Sequence, residues 1–127
     1  MVKIDDKKGF KSLEIWQKAK KLAVEIYKYS NSPIFNKDFS LREQMRKSAI
    51  SIVSNIAEGD ERGTNKESIR FFYIAKGSLA ELKTQWEIAY EIGYLNEGDF
   101  IKINLFLEEL GKMLGSLIKY RELRLKK

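Results

Sequence analysis

The chain has 127 residues, 43% hydrophobic and 33% charged, a balance that fits one globular domain over 1–127 and not a disordered segment. It contains no cysteine and no histidine, which removes disulfides, thiolate metal sites and imidazole acid–base chemistry at once. The net charge is +6, with +3 in residues 10–31 and +3 in residues 121–127, the rest of the chain being balanced. An excess of that size permits nucleic-acid binding without demanding it.

The first predicted helix covers 12–31. Ile15, Ala19, Leu22 and Ile26 recur at helical spacing, flanked by Leu13, Trp16, Ala23 and Tyr27. Ser12 is its expected N-cap. Asn31-Ser32-Pro33 is its expected stop, which leaves the single proline in a loop.

The second helix, 40–61, opens on Ser40-Leu41-Arg42-Glu43, a capping-box pattern. Leu41, Met45, Ala49, Ile52 and Ile56 form its apolar stripe, and Gln44, Ser48, Ser51, Asn55 and Glu58 a polar one beside it. That polar stripe reads either as a solvated face or as a hydrogen-bonded seam between helices or subunits. A catalytic Glu58 is disfavoured, because no histidine, cysteine or metal set surrounds it. Gly59 and Gly63 are expected to bracket the next loop. Its string Gly59-Asp60-Glu61-Arg62-Gly63 carries acids where phosphates would sit, so it is no phosphate loop.

Thr64-Asn65-Lys66-Glu67 is a second capping box, starting a helix over 64–92. Phe71, Ala75, Leu79, Leu82, Trp86 and Ala89 are its expected buried face. Arg62, Lys66, Arg70 and Tyr73 cluster opposite, widened by Lys76 and Lys83, and read either as an ordinary solvated face or as phosphate contacts. Gly93 is the expected residue just past the helix end.

The last helix, 97–121, repeats Phe100, Ile103, Leu107, Leu110, Leu114, Leu117 and Arg121 as a heptad seam, with Phe106, Met113 and Tyr120 adjoining. Gly111 and Gly115 make a flat ridge, for close packing inside the domain or for an oligomer interface. Arg121, Arg124, Lys126 and Lys127 form a basic tail, either a solubilising helix end or a phosphate-contacting arm. Four matched helices with short connections predict an all-α, up-down-up-down antiparallel four-helix bundle. The first nine residues lack the apolar stretch of a secretory signal, and the longest apolar run, Phe71-Phe72-Tyr73-Ile74-Ala75, is far short of the ~20 residues that span a bilayer. A soluble cytoplasmic protein is expected, without enzymatic activity, cofactor, metal or small-molecule substrate.

Several strings resemble a known family. Phe10-Lys11-Ser12-Leu13-Glu14-Ile15-Trp16-Gln17-Lys18-Ala19 is similar to the opening of four-helix-bundle proteins encoded in intervening sequences of bacterial 23S rRNA genes. So are Leu41-Arg42-Glu43-Gln44-Met45-Arg46-Lys47-Ser48-Ala49, Ser54-Asn55-Ile56-Ala57-Glu58-Gly59, and Ala75-Lys76-Gly77-Ser78-Leu79-Ala80-Glu81-Leu82 followed by Gly93-Tyr94-Leu95. The chain departs from the usual pattern at Ser32-Pro33-Ile34-Phe35 and at Val53 after Ser51-Ile52. The resemblance implies a ring-shaped homopentamer without assigned enzymatic activity. Leu114-Gly115-Ser116-Leu117-Ile118 with the basic tail is similar to a related branch, accessory variability proteins of diversity-generating retroelements, which act with a reverse transcriptase and its RNA. Asn55, Glu58, Ser78 and Glu81 are then expected to be structural, bonded across helices to groups such as Arg46. The resulting expectation is a homopentameric scaffold that binds structured RNA, or an RNA-bound partner such as a reverse transcriptase, through basic surfaces. The alternative is a protein-interaction adaptor that touches no nucleic acid.

Overall fold

The computed structural model describes residues 9–125. A 3-10 turn, Gly9–Ser12, precedes α1 (Glu14–Tyr29), α2 (Pro33–Asn36), α3 (Phe39–Asp60), α4 (Asn65–Glu91) and α5 (Glu97–Leu125). The described residues are all-helical and contain no strand. None of their helices is long and apolar enough to cross a membrane.

The helix ends depart from the sequence reading for local reasons. The Ser12 hydroxyl donates to the Gly9 carbonyl at 2.7 Å, closing the 3-10 turn, so Leu13 and not Ser12 holds the N-cap position of α1. Pro33 starts α2 instead of lying in a loop, because a first helical residue needs no N–H partner. That single turn buries Phe35, whose ring meets Tyr94 edge-on at 5.3 Å. Ser40 falls inside the first turn of α3 and the cap is Asp38, which accepts from the Leu41 N–H at 3.2 Å. Glu43 pairs with its neighbour Arg42 at 3.1 Å instead of reaching back. Thr64 caps α4 as expected, accepting from the Glu67 N–H at 3.2 Å.

Gly93, at φ +86°, ends α4 in the left-handed region that suits glycine. Its N–H donates to the Tyr90 carbonyl at 3.0 Å, and the Tyr94 N–H to the Ala89 carbonyl at 2.9 Å, which is a Schellman motif. Asn96 then caps α5 by accepting from the Asp99 N–H at 2.7 Å.

The four long helices pack in a closed cycle: α1 on α3, α3 on α4, α4 on α5, and α5 back on α1. Ties along α1 and α5 run in opposite senses, Lys18 to Glu109 and Tyr29 to Asp99. Along α4 and α5 the same holds, with Tyr73 tied to Glu122 and Lys83 to Glu108. The core inside contains Leu22, Ile26, Met45, Ile52, Ile56, Leu82, Trp86, Ile103, Leu107 and Leu110, all fully buried. Trp86 keeps its indole N–H satisfied by donating to the Phe100 carbonyl at 3.1 Å.

Two faces are rotated from expectation. On α4 the buried ring is Phe72, and Phe71 is only half-buried. On α5 the seam holds through Leu114 and then passes to Ile118, leaving Leu117 half-buried. A straight helix drifts ~20° per heptad against a seven-residue repeat, so a long seam migrates by about one position. Gly59, expected at the edge of the loop, lies buried in the last turn of α3, directly against Phe72.

Candidate nucleic-acid interface

The α3–α4 junction gathers three of the predicted basic residues. α3 ends at Asp60 and α4 begins at Asn65, so Arg62 lies in the turn, with Lys66 and Arg70 on the first turns of α4. Because Phe72 takes the core position, Phe71 is left at the surface edge. The Arg62 guanidinium lies 4.4 Å from the Phe71 ring centroid and that of Arg70 lies 5.7 Å from it. One aromatic ring thereby supports two planar cations. Arg62 also pairs with Glu58 at 2.8 Å, one turn back on α3; both side chains are exposed, so the pair is easily exchanged for another anion. Lys66 is exposed and has no carboxylate partner among the described residues.

The other basic candidates are placed differently. Arg121 is held inward: it meets Asp60 at 3.4 Å and Asn65 at 3.1 Å, and its guanidinium lies 5.7 Å from the Phe72 ring. Its side chain is 22% exposed, so it ties α5 to the α3–α4 junction instead of standing free for a phosphate. Its donors are therefore engaged within the chain, unlike the Lys66 ammonium. Arg124 is exposed and donates to the Tyr120 hydroxyl at 3.0 Å. Lys126 and Lys127 lie outside the described residues. Tyr73 is exposed and donates to Glu122 at 3.3 Å; the carboxylate's charge raises the phenol pKa above its ordinary value.

The five residues expected to form one polar network are divided among separate places. Ser51 and Ser78 share a hydrogen bond of 2.7 Å between α3 and α4, and the Asn55 amide donates to Ser51 Oγ at 3.1 Å. Arg46 faces α1 instead, donating to Ser30 Oγ at 2.8 Å over the Tyr27 ring. Glu58 turns to Arg62, and Glu81 is exposed on a groove with Gln44, Lys47 and Gln85. The polar stripe of α3 is thus a seam where Ser48 is buried and Ser51 and Asn55 half-buried, and a solvated face at Gln44 and Glu58.

The glycine ridge also divides. A Cβ on Gly111 would lie 3.4 Å from Leu79 Cδ2 and 3.6 Å from Lys83 Nζ, so its neighbours belong to α4 of the same chain. A Cβ on Gly115 would meet nothing within 4 Å, and the same is true at Gly77 on α4. The Phe71 platform and the Gly59–Phe72 contact escaped the sequence reading. Ser68, Phe72, Ala75 and Leu79 at 4-3-4 spacing were the available signal for both. Among the described residues, no group of three or more Asp or Glu side chains converges to hold a metal ion.

Comparison with known proteins places these observations. The profile of the 23S rRNA-intervening sequence proteins matches residues 11–116. A solved structure that is similar is a protein of unknown function from the S23 ribosomal protein family of Bacteroides thetaiotaomicron. It is 27% identical, with a TM-score of 0.76 and coverage of 83% of this chain and 98% of that one. No curated protein matches the chain.

Proposed function

The chain belongs to the 23S rRNA-intervening sequence protein family, and on that premise we propose that it is a non-enzymatic scaffold for structured RNA or an RNA-bound partner protein. In this reading the four long helices form an up-down-up-down bundle, repeated five times in a ring, and a cytoplasmic location follows from the RNA partner. The observation that carries the reading is the Phe71 platform, where the Arg62 and Arg70 guanidiniums lie over one ring. Lys66, which has no carboxylate partner among the described residues, is on the first turn of the same helix as that ring. Unstacked RNA bases lie on guanidinium planes, and lysines neutralise the adjoining phosphates. Glu58 holds Arg62 in place until a phosphate displaces it. Assembly is supported by Gly77 and Gly115. Each costs ~1 kcal/mol of helix stability relative to alanine and has no intrachain neighbour that requires it.

Fluorescence anisotropy with a labelled RNA hairpin across a salt series tests the reading. Log affinity is expected to fall linearly with log salt. Neutralising Arg62, Lys66 and Arg70 to glutamine should flatten that slope by ~2, from ~0.7 per lost single-strand contact. An absence of binding even at low salt would transfer the function to a protein-interaction adaptor. The exposed Leu105 (64%) and Ile92 (50%) would then be the natural contact residues.

A further inference from the structure

A second basic feature lies away from the α3–α4 junction, along the seam of α4 and α5. There a groove of about 280 Å3 is lined by Lys76, Leu79, Ala80, Lys83, Glu108, Gly111 and Lys112. Its floor is apolar, made by Leu79, Ala80 and Gly111, and its walls carry three ammonium groups against one carboxylate. The carboxylate is already engaged, since Glu108 meets Lys83 at 3.2 Å. Lys76 and Lys112 are exposed and have no carboxylate partner among the described residues. Lys76 and Lys83 are seven residues apart on one face of α4, about 10 Å along the axis, which matches the rise of about three stacked nucleotides.

We propose that this groove is a separate anion-binding track that seats the phosphodiester backbone of a single nucleic-acid strand, with Lys76, Lys83 and Lys112 as its phosphate contacts. Glu108 acts as a built-in competitor, occupying Lys83 until a phosphate replaces it. The charge of the walls selects the occupant: three ammonium groups against one carboxylate, two of them spaced like the phosphates of a stacked strand, suit a polyanionic backbone. Gly111 keeps the floor open, because any larger residue would project toward Leu79 and Lys83. The proposal rests on the RNA reading above but uses none of the residues that carry it.

The test is anisotropy of a fluorescein-labelled 12-nucleotide oligouridine with the full chain at several salt concentrations. Glu108→Gln should tighten binding about fivefold, the factor for one unit-charge interaction at ~4 Å in water. Glu91→Gln makes the same charge change on the last turn of α4, outside the groove, and should leave affinity nearly unchanged. The double variant Lys76→Gln/Lys112→Gln, altering two exposed side chains, should flatten the log–log salt slope by ~1.4. Equal effects of Glu108→Gln and Glu91→Gln would overturn the proposal. So would an unchanged slope in the double variant, or displacement of oligouridine by polyglutamate at equal charge. Loss of binding on neutralising Arg62, Lys66 and Arg70, with no effect of the double variant, defeats the groove alone. The reverse pattern supports the groove and defeats the Phe71 platform. No binding of oligouridine or hairpin by the wild type defeats both.

Discussion

Gly59 of α3 and Phe72 of α4 occupy the space of a single side chain: a Cβ built on Gly59 would lie 2.7 Å from Phe72 Cδ1. Phe72 is fully buried, so any shift of its ring must be made inside the packed core. Gly59→Ala is therefore expected to destabilise the protein by ~1–3 kcal/mol through overpacking, outweighing the ~1 kcal/mol that alanine gains in a helix interior. Urea melts monitored by far-ultraviolet circular dichroism would read this as a lower midpoint at unchanged m-value.

Gly77 and Gly115 should behave in the opposite way. Neither has a heavy atom within 4 Å of a built Cβ in its own chain, so Gly77→Ala should stabilise the isolated subunit by ~0.5–1 kcal/mol in thermal melts, a gain that close contact with a second subunit would cancel. Gly115→Leu should leave the secondary structure intact. Under the ring reading it should also reduce the mass seen by light scattering from about five times the 14.8 kDa chain.

Arg121 joins three helices through Asp60 and Asn65, with side-chain exposures of 22% for the guanidinium and 18% for Asp60. Arg121→Gln should cost ~1–3 kcal/mol, the range for hydrogen bonds to a partly buried charge. Its RNA salt slope should match wild type, which separates it from Arg62, Lys66 and Arg70. A flattened slope with unchanged stability would make Arg121 a phosphate contact.

Periodicity determines which faces of this chain are legible and which are not. The apolar stripes of α1 and α3 were legible because Ile15, Ala19, Leu22, Ile26, Met45, Ala49, Ile52 and Ile56 each face a helix neighbour throughout. At Phe71-Phe72 two identical residues straddle the face, so spacing alone leaves a rotation of 100° undecided. Asp38 displaced Ser40 as a cap because its second oxygen is anchored by the Tyr94 hydroxyl at 2.9 Å, a contact 56 positions away in sequence. Arg121 closed a heptad seam in the sequence, yet what fixes it is acceptors on α3 and α4. The basic cluster at the α3–α4 junction was legible from helix angles, but its aromatic support was not, since it depended on which phenylalanine went inside.

Among the described residues, three tyrosines donate to carboxylates: Tyr29 to Asp99, Tyr73 to Glu122 and Tyr94 to Asp38. All three phenols are raised above their ordinary value: Tyr29 mainly by burial, Tyr73 by the charge of Glu122, and Tyr94 by its bond to Asp38. A raised folded value means the stabilisation is complete below the unfolded pKa of ~10 and is lost as pH rises through the folded value. Phenolate absorbance should therefore show a late-titrating group of tyrosines in the folded protein. Asp38→Asn should return one of them toward the ordinary value.

The bond between Lys18 and Glu109 closes a span of 91 positions, and that between Tyr29 and Asp99 one of 70. α3, α4 and α5 are by contrast consecutive, joined by the short turns 61–64 and 92–96. Loop-closure entropy makes the α1–α5 pairing slow to form, and α1, the helix at the N-terminal end, is held besides by α3. Native-state hydrogen exchange should accordingly find α1 opening as its own cooperative unit, before the α3–α4–α5 hairpins yield. If exchange finds that unit, α1 is a detachable cover, and its release would bare the core faces of α3 and α5 on which it packs.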